Sequence, residues 1–381
     1  ELDWNRLALV RGRFSVNRLK ADRIIVERSP KSLPADPDLP TPEATPFSLP
    51  DLPVALEIGE IAANEILLGE ELAGQEASLS VTGALSLADG ALDTTLRVAR
   101  LDRRGDALSL AASFSNSTEQ LSLDLALKEA SGGLLSDVMD IPGRPDLSLA
   151  IKGAGPLEDF TADIGFATNG NDRISGTVSL TGLADVAGGA DAGLAFAADL
   201  GGNIDPLLRP TYRPFFGPGL RANLKGRTLP SGGVELESLA LRTRALQLTG
   251  ALSLEAGNLQ TANLKTAITP PDGQAAVILP VPGADTTVAG VSLTLQKPAD
   301  ENWQINGELD QLRTPDMAIS RAVINAAGAL DQSAGFALDG AIDARLNGFV
   351  LADPALAAAT GSDLTLSARL TTKEGADFLI R

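Results

Sequence analysis

The chain has 381 residues with no cysteine, no histidine and a formal net charge of −18 at pH 7. These absences exclude disulfides, Cys/His zinc sites, thiolate nucleophiles and every histidine-dependent triad, and the acidity argues against a nucleic-acid partner. Apolar residues make up 44% of the chain but aromatics only 4%, so a compact aromatic-rich core is not expected.

Residues 1–29 read as the basic start of a sheet, with Leu7-Ala8-Leu9 leading through Gly12 to Phe14-Ser15-Val16 and a second strand at Ile24-Ile25-Val26. Residues 1–32 carry eight Arg and Lys against four Asp and Glu, a balance of +4 that leaves −22 for the remainder. Such a basic start suits an anionic membrane surface. Residues 30–53 contain eight prolines, which forbid helix and central strand and predict an extended linker or loop.

Residues 54–202 form the first sustained β segment. Its grammar is clearest at 147–166: alternating Leu147, Leu149 and Ile151, an expected turn at Gly153-Ala154-Gly155-Pro156, then an apolar pattern restarting at Leu157, Phe160, Ile164 and Phe166. The pattern recurs at 79–87, 175–180 and 246–254, with unequal spacing between Gly83, Gly176 and Gly250. Solenoids and propellers need a fixed period. Asp89-Gly90 and Arg104-Gly105-Asp106 signal hairpins, so neighbouring strands should be antiparallel. Leu134, Leu135, Val138 and Met139 predict a short helix, and Asp205-Pro206 predicts a helix start within a corner at 203–218. From 219 to 381 strands resume at 220–224, 234–241, 246–254, 291–295, 305–309, 336–342 and 364–370. No apolar run approaches the roughly 20 residues that span a bilayer. The chain opens and closes in mid-pattern, so it is expected to be an excerpt whose membrane anchor lies outside it.

The predicted fold is all-β: an elongated, curved, mainly antiparallel sheet with two short helices, forming an open hydrophobic trough. Few helices and few aromatics leave little to cover one greasy face. Roughly 25 strands at about 4.8 Å each would make a trough on the order of 100 Å long. Candidate groove residues are Leu79, Val81, Leu85, Leu87, Leu96, Leu110, Leu123, Leu125, Leu149, Ile151, Val178, Leu180, Leu248, Leu252, Leu293, Leu338 and Leu366. Between Asp205 and Glu235 no acid occurs, so Arg209, Arg213, Arg221, Lys225 and Arg227 are candidates for a lipid headgroup or a partner. Chemistry is not expected: Glu158 and Asp159 are adjacent and would point to opposite faces of a strand, while Asn169-Gly170-Asn171-Asp172 reads as a turn. Asn116-Ser117-Thr118 is a formal glycosylation sequon, expected to be idle. No catalytic residue, metal or cofactor is assigned. The residues alone leave open a soluble sandwich or adhesive stalk.

Leu2-Asp3-Trp4-Asn5-Arg6-Leu7-Ala8-Leu9-Val10-Arg11-Gly12-Arg13 and 19–30, followed in order by Arg100-Leu101-Asp102, 129–135, 153–160, Gly217-Pro218-Gly219-Leu220 and 246–252, resemble the TamB group of AsmA-like proteins over about residues 1–256. The resemblance implies a periplasmic protein anchored to the inner membrane of Gram-negative bacteria. Its trough would conduct phospholipid to the outer membrane, with the outer-membrane barrel TamA as partner through regions outside this excerpt. A role in outer-membrane protein assembly with TamA is the alternative.

Overall fold

In the computed structural model, residues 1–28, 49, 52, 54–183, 193–229, 232–281, 285–332, 337–371 and 379–380 are described. Strand accounts for 65% of the chain and helix for 8%, in a curved, open, mainly antiparallel sheet. This is the all-β fold that the alternation predicts. Two compact units divide the chain, residues 1–200 and 201–381.

The first unit contains β1 (Leu2–Asn5), α1 (Arg6–Leu9), β2 (Arg13–Val26), β3 (Ala55–Leu68), α2 (Glu70–Ala73), β4 (Ala77–Ala88), β5 (Ala91–Arg100), β6 (Ala107–Ser115), β7 (Gln120–Glu129), α3 (Leu134–Val138), β8 (Leu147–Pro156), β9 (Asp159–Thr168), β10 (Asn171–Gly182) and most of β11 (Leu194–Gly202). From β3 to β10 each strand pairs antiparallel with the next. Two-residue turns at Asp89-Gly90 and Asn169-Gly170 have positive φ at both positions, the geometry that matches the twist of the flanking strands. One ladder departs from the antiparallel expectation: β2 and β3 run parallel. Apart from residues 49 and 52, the Pro-rich tract between them lies outside the described residues.

Several local expectations are corrected. Leu7-Ala8-Leu9 belongs to α1, because the Asn5 side chain accepts from Leu7 N and Ala8 N and turns the chain into a helical turn. Phe14 to Val16 and Ile24 to Val26 lie in the same strand, β2. Gly153-Ala154-Gly155-Pro156 is not a turn, since β8 runs through it and pairs with β7 and β9.

Unit 2 starts with two 3₁₀ turns (Asp205–Leu207 and Pro210–Tyr212) and α4 (Arg213–Phe216). It continues with β12 (Leu220–Thr228), β13 (Val234–Arg242), β14 (Leu246–Glu255), β15 (Asn258–Ile268), β16 (Val277–Ile278), β17 (Thr287–Val288), β18 (Gly290–Lys297), β19 (Trp303–Arg313), β20 (Met317–Asp331), β21 (Ala337–Asn347), β22 (Val350–Leu351), α5 (Pro354–Thr360), β23 (Asp363–Thr371) and β24 (Leu379–Ile380). All its described ladders are antiparallel, in the order β12 to β15, then β18 to β21, then β23 and β24. Asp205 does not cap the corner as expected; it sits inside the first 3₁₀ turn, whose cap position is Ile204. The capping logic applies instead at α5, where Asp353 accepts from Ala355 N and Leu356 N with Pro354 at the first helical position. Short helices therefore outnumber the two expected.

The recurrent glycines share one physical cause. Gly83 faces Leu96, Gly153 faces Ala162, Gly176 faces Ile164 and Gly250 faces Leu264, all on the leucine side of the sheet. A Cβ on Gly153 would stand 2.6 Å from Thr161 O and 2.7 Å from the Phe160 ring, and one on Gly250 would strike Asn263 O and the Leu264 side chain. These residues are glycine because a neighbouring strand or ring occupies the space of a side chain. Gly165, in contrast, has no atom within 4 Å of the Cβ position. Gly153→Val should destabilise the protein by about 1–3 kcal/mol through overpacking, whereas Gly165→Val should be neutral or stabilising, as checked by denaturant titration of both variants.

Candidate apolar groove

Register decides which side chains share a face. Across unit 1, Leu87, Leu92, Phe114, Leu121 and Gly155 form one row; Gly83, Leu96, Leu110, Leu125, Ile151, Ile164 and Gly176 form another; and Val81, Val98, Leu108, Leu127, Leu149, Phe166 and Ile174 form a third. Leu79, Leu85, Leu123, Val178 and Leu180 fall on the same side, opposite Arg100, Thr94, Ala112, Ala162 and Phe160 respectively. All twelve candidates from this unit therefore lie on one face. Their alternates lie on the other; Asp93, Thr95, Arg97, Asp124 and Lys152 among them are exposed, while Ser80, Ser86 and Ser148 are half-buried.

In unit 2, Leu248 faces Thr266, which faces Leu293; Leu252 faces Ala262; and Leu366 faces Ala344. Leu338 stands opposite Leu330 in the β20–β21 ladder. These five positions also fall on a single face of their unit.

Burial on the leucine side is partial at the candidate positions, while Phe114, Leu147, Phe160 and Ala162 on the same side are buried. In unit 1 the candidates from Leu79 to Leu180 are half-buried, although many lie in mid-strand and mid-sheet. Towards β1 and β2 burial on the same face is uneven: Leu2 is 56% exposed and Leu19 42%, whereas Val16 is buried. A sandwich interior would bury such residues almost completely. Half-burial is what cross-strand neighbours on one face of a sheet give one another.

Polar residues end the face along one rim of unit 1. Arg100, at the end of β5, is buried and donates from Nε to both Asp102 oxygens (3.0 and 3.1 Å), from Nη2 to Asp102 Oδ2 (2.9 Å) and from Nη1 to Asp106 Oδ2 (3.3 Å). Glu129, at the end of β7, accepts from Leu135 N (2.7 Å) and Ser136 N (2.9 Å), satisfying the first turn of α3. A Cβ at Gly133 would strike the Glu129 side chain, which explains that glycine. The two ends meet in one rim, where Ala130 N donates to Asp106 Oδ1 (2.8 Å). Asn116 has a comparable role beyond the other strand ends: its amide accepts from Leu49 N (2.9 Å) and donates to Leu49 O (3.0 Å), so this side chain of the formal sequon is engaged with backbone.

Cover is heavier along one rim of unit 2. Phe215 and Phe216 pack with Val277 and Val288 over Leu246, Ile268, Val291 and Leu312, and Phe349 packs beside Leu346 and Leu364. The other rim carries Trp303, whose indole donates to Ala329 O (3.2 Å) and lies where side chains on Gly328 and Gly340 would be.

The cation candidates divide. Arg221, Lys225 and Arg227 lie on the polar face of β12, and Arg209 and Arg213 lie in the corner before it. Arg227 is ion-paired with Glu235 (2.7 Å) and Glu237 (3.5 Å), carboxylates that the next strand brings opposite. The basic start is likewise paired across the parallel ladder: Arg13 with Glu57 (3.8 Å), Arg18 with Glu60 (2.7 Å) and Arg23 with Glu65 (3.2 Å). Being exposed, such pairs contribute ~0–1 kcal/mol each, but they redirect charge that the sequence assigns to a membrane surface.

Among the described residues no cluster of His, Cys, Asp and Glu is placed to hold a metal, and no helix is long and apolar enough to cross a membrane. The chain matches no family model, no curated protein and no solved structure.

The Asp102 carboxyl is held below the usual carboxylate range by its hydrogen bonds from Arg100, against the opposing effect of burial. A depressed folded-state pKa contributes stability above the unfolded value, about 3.9, that is lost as pH falls through the folded value. Arg100→Gln should cost about 2 kcal/mol near pH 7, since Asp102 is partly exposed and its charge partly solvated. The deficit should shrink below about pH 4, as measured by urea denaturation across pH.

Proposed function

We propose that the leucine face of each unit is a groove for phospholipid acyl chains, and that this chain is a periplasmic, TamB-like segment of a conduit from the inner to the outer membrane. The observation that carries this reading is that the ladders hold the half-buried candidates from Leu79 to Leu180 on one face. A protein that buried this face for stability would need a second layer. A conduit needs it available to apolar cargo.

The energetics favour such cargo. Moving an acyl chain of about 15 methylenes from water onto an apolar surface is worth on the order of 10 kcal/mol at ~0.8 kcal/mol per methylene. Aqueous transit of a lipid is slow for that reason. A continuous face lets a chain slide without paying the full desorption cost, because each step exchanges one set of leucines for an equivalent set. The proposed role is not enzymatic and calls on no cofactor. In it, the polar outer face keeps the segment in water.

Native mass spectrometry with lipid extraction should show phospholipid leaving with the purified protein; lipid-free protein that also fails to take up added phospholipid would reject the groove. Substitution separates groove from closed core. Leu149→Arg and Leu252→Glu place a charge on a half-buried face where it reaches water along the groove, so melting should change little while lipid traffic stops. A closed sandwich would instead lose several kcal/mol from an unpaired buried charge, and loss of fold with function would favour a structural stalk.

A further inference from the structure

Unit 2 carries a concentration of arginines that its register assembles and that the linear sequence only partly shows. In the β12–β13 ladder Arg221 stands directly opposite Arg242. Both side chains are exposed on the polar face. Like charges directly opposite in an antiparallel pair repel, and Glu235 and Glu237, which neutralise Arg227, lie at the far end of the same ladder.

Two residues beyond Arg242, Arg244 is also exposed. Its stem lies across Gly217: a Cβ there would come within 2.5 Å of Arg244 Cβ and 2.9 Å of its Cδ. Backbone bonds from Arg244 N to Phe216 O (2.8 Å) and from Ala245 N to Phe215 O (2.9 Å) fix that position. Arg213, at the start of α4, donates to Leu208 O (3.3 Å). Arg213 and Arg244 both lie close enough to Asp205 to pull its carboxyl down, although burial outweighs them and raises it. Asp205 Oδ1 is buried without a hydrogen-bond partner. Its Oδ1 is turned into the protein, while the side chains of Arg213, Arg221, Arg242 and Arg244 are exposed.

We propose that Arg213, Arg221, Arg242 and Arg244 form a binding corner for the anionic phosphate of a lipid headgroup, whose acyl chains lie on the leucine face of the same unit. The source is a lipid because the corner adjoins the rim of that face, where Phe215 and Phe216 cover the ends of β14, β15, β18 and β19. A chain lying on the face must leave its headgroup at a rim, in water. Guanidinium groups match phosphate oxygens with paired donors, and an anion between Arg221 and Arg242 turns their repulsion into attraction. This inference rests on the groove reading for its cargo, while the residues differ from those of the groove.

The test uses the full chain, with Arg221→Gln/Arg242→Gln and Arg213→Gln/Arg244→Gln as paired variants. Three probes are titrated: short-chain phosphatidic acid, phosphatidylcholine of the same chain length, and N-phenylnaphthylamine as an uncharged apolar probe. Wild type should bind the phosphatidic acid more tightly than the phosphatidylcholine, and each paired variant should lose about tenfold or more of that preference, the scale of charge-assisted hydrogen bonds. Binding of the neutral probe and the melting temperature should stay unchanged. Equal preference in wild type and variants would overturn the proposal while leaving the groove intact. Absence of neutral-probe binding in wild type would instead reject the groove, and inorganic phosphate competing as well as phosphatidic acid would overturn the lipid as source.

Discussion

Crowding on one side of a curved sheet is the constraint from which the rest follows. Where a single layer bends, the Cβ positions of its inner face converge and those of its outer face spread. Gly83, Gly153, Gly176 and Gly250 relieve that convergence at points where the next strand's carbonyl or side chain occupies the space. Phe160 over Gly153, and Trp303 over Gly328 and Gly340, use the freed space for a ring. Aromatic residues are scarce because few places on such a face have room for them.

The same geometry accounts for the energetic character of the molecule. On the leucine side of each unit, stability comes from ladder hydrogen bonds and from cross-strand contacts among Leu, Val and Ile, many of them half-buried. Charges are then most useful at the margins. Arg100, Glu129 and Lys297 are buried at strand ends and satisfied, Lys297 through a 2.8 Å bond to Gln260 O. Such rims fix where the apolar face stops. Amide side chains complete the ends: Asn116 grips the backbone of Leu49, and Gln332 grips Leu259 in the same two-bond manner (2.8 and 3.1 Å). Each supplies a donor and an acceptor where a strand would otherwise need a neighbour.

Function in this view is a property of a face more than of a site. A catalytic centre concentrates chemistry in a few convergent groups, whereas cargo that slides requires chemical sameness along a path. The rows through Leu110, Leu125 and Ile151 supply that sameness. Selectivity has to come from elsewhere, and an exposed rim with arginines from different elements offers it without interrupting the apolar path.

Period-two alternation of leucine with serine, threonine and charge determined, by itself, that the chain is all-β and which residues share a face, because side chains in a strand alternate with a period of two. The Asp-Gly pair located the tight turn at residues 89–90, where φ is positive at both Asp89 and Gly90. Alanine-rich β20 was illegible, since residues such as Ala318, Ala322 and Ala326 mark neither face strongly, and β8 was cut short because glycine beside proline resembles a turn. Only tertiary structure decided the parallel pairing of β2 with β3, which sets Arg13, Arg18 and Arg23 beside Glu57, Glu60 and Glu65. It likewise paired Arg227 with Glu235 and Glu237 and brought Arg242 and Arg244 to the corner in which Arg213 lies. Partners across a ladder are set by register between distant segments, and no local pattern encodes that register.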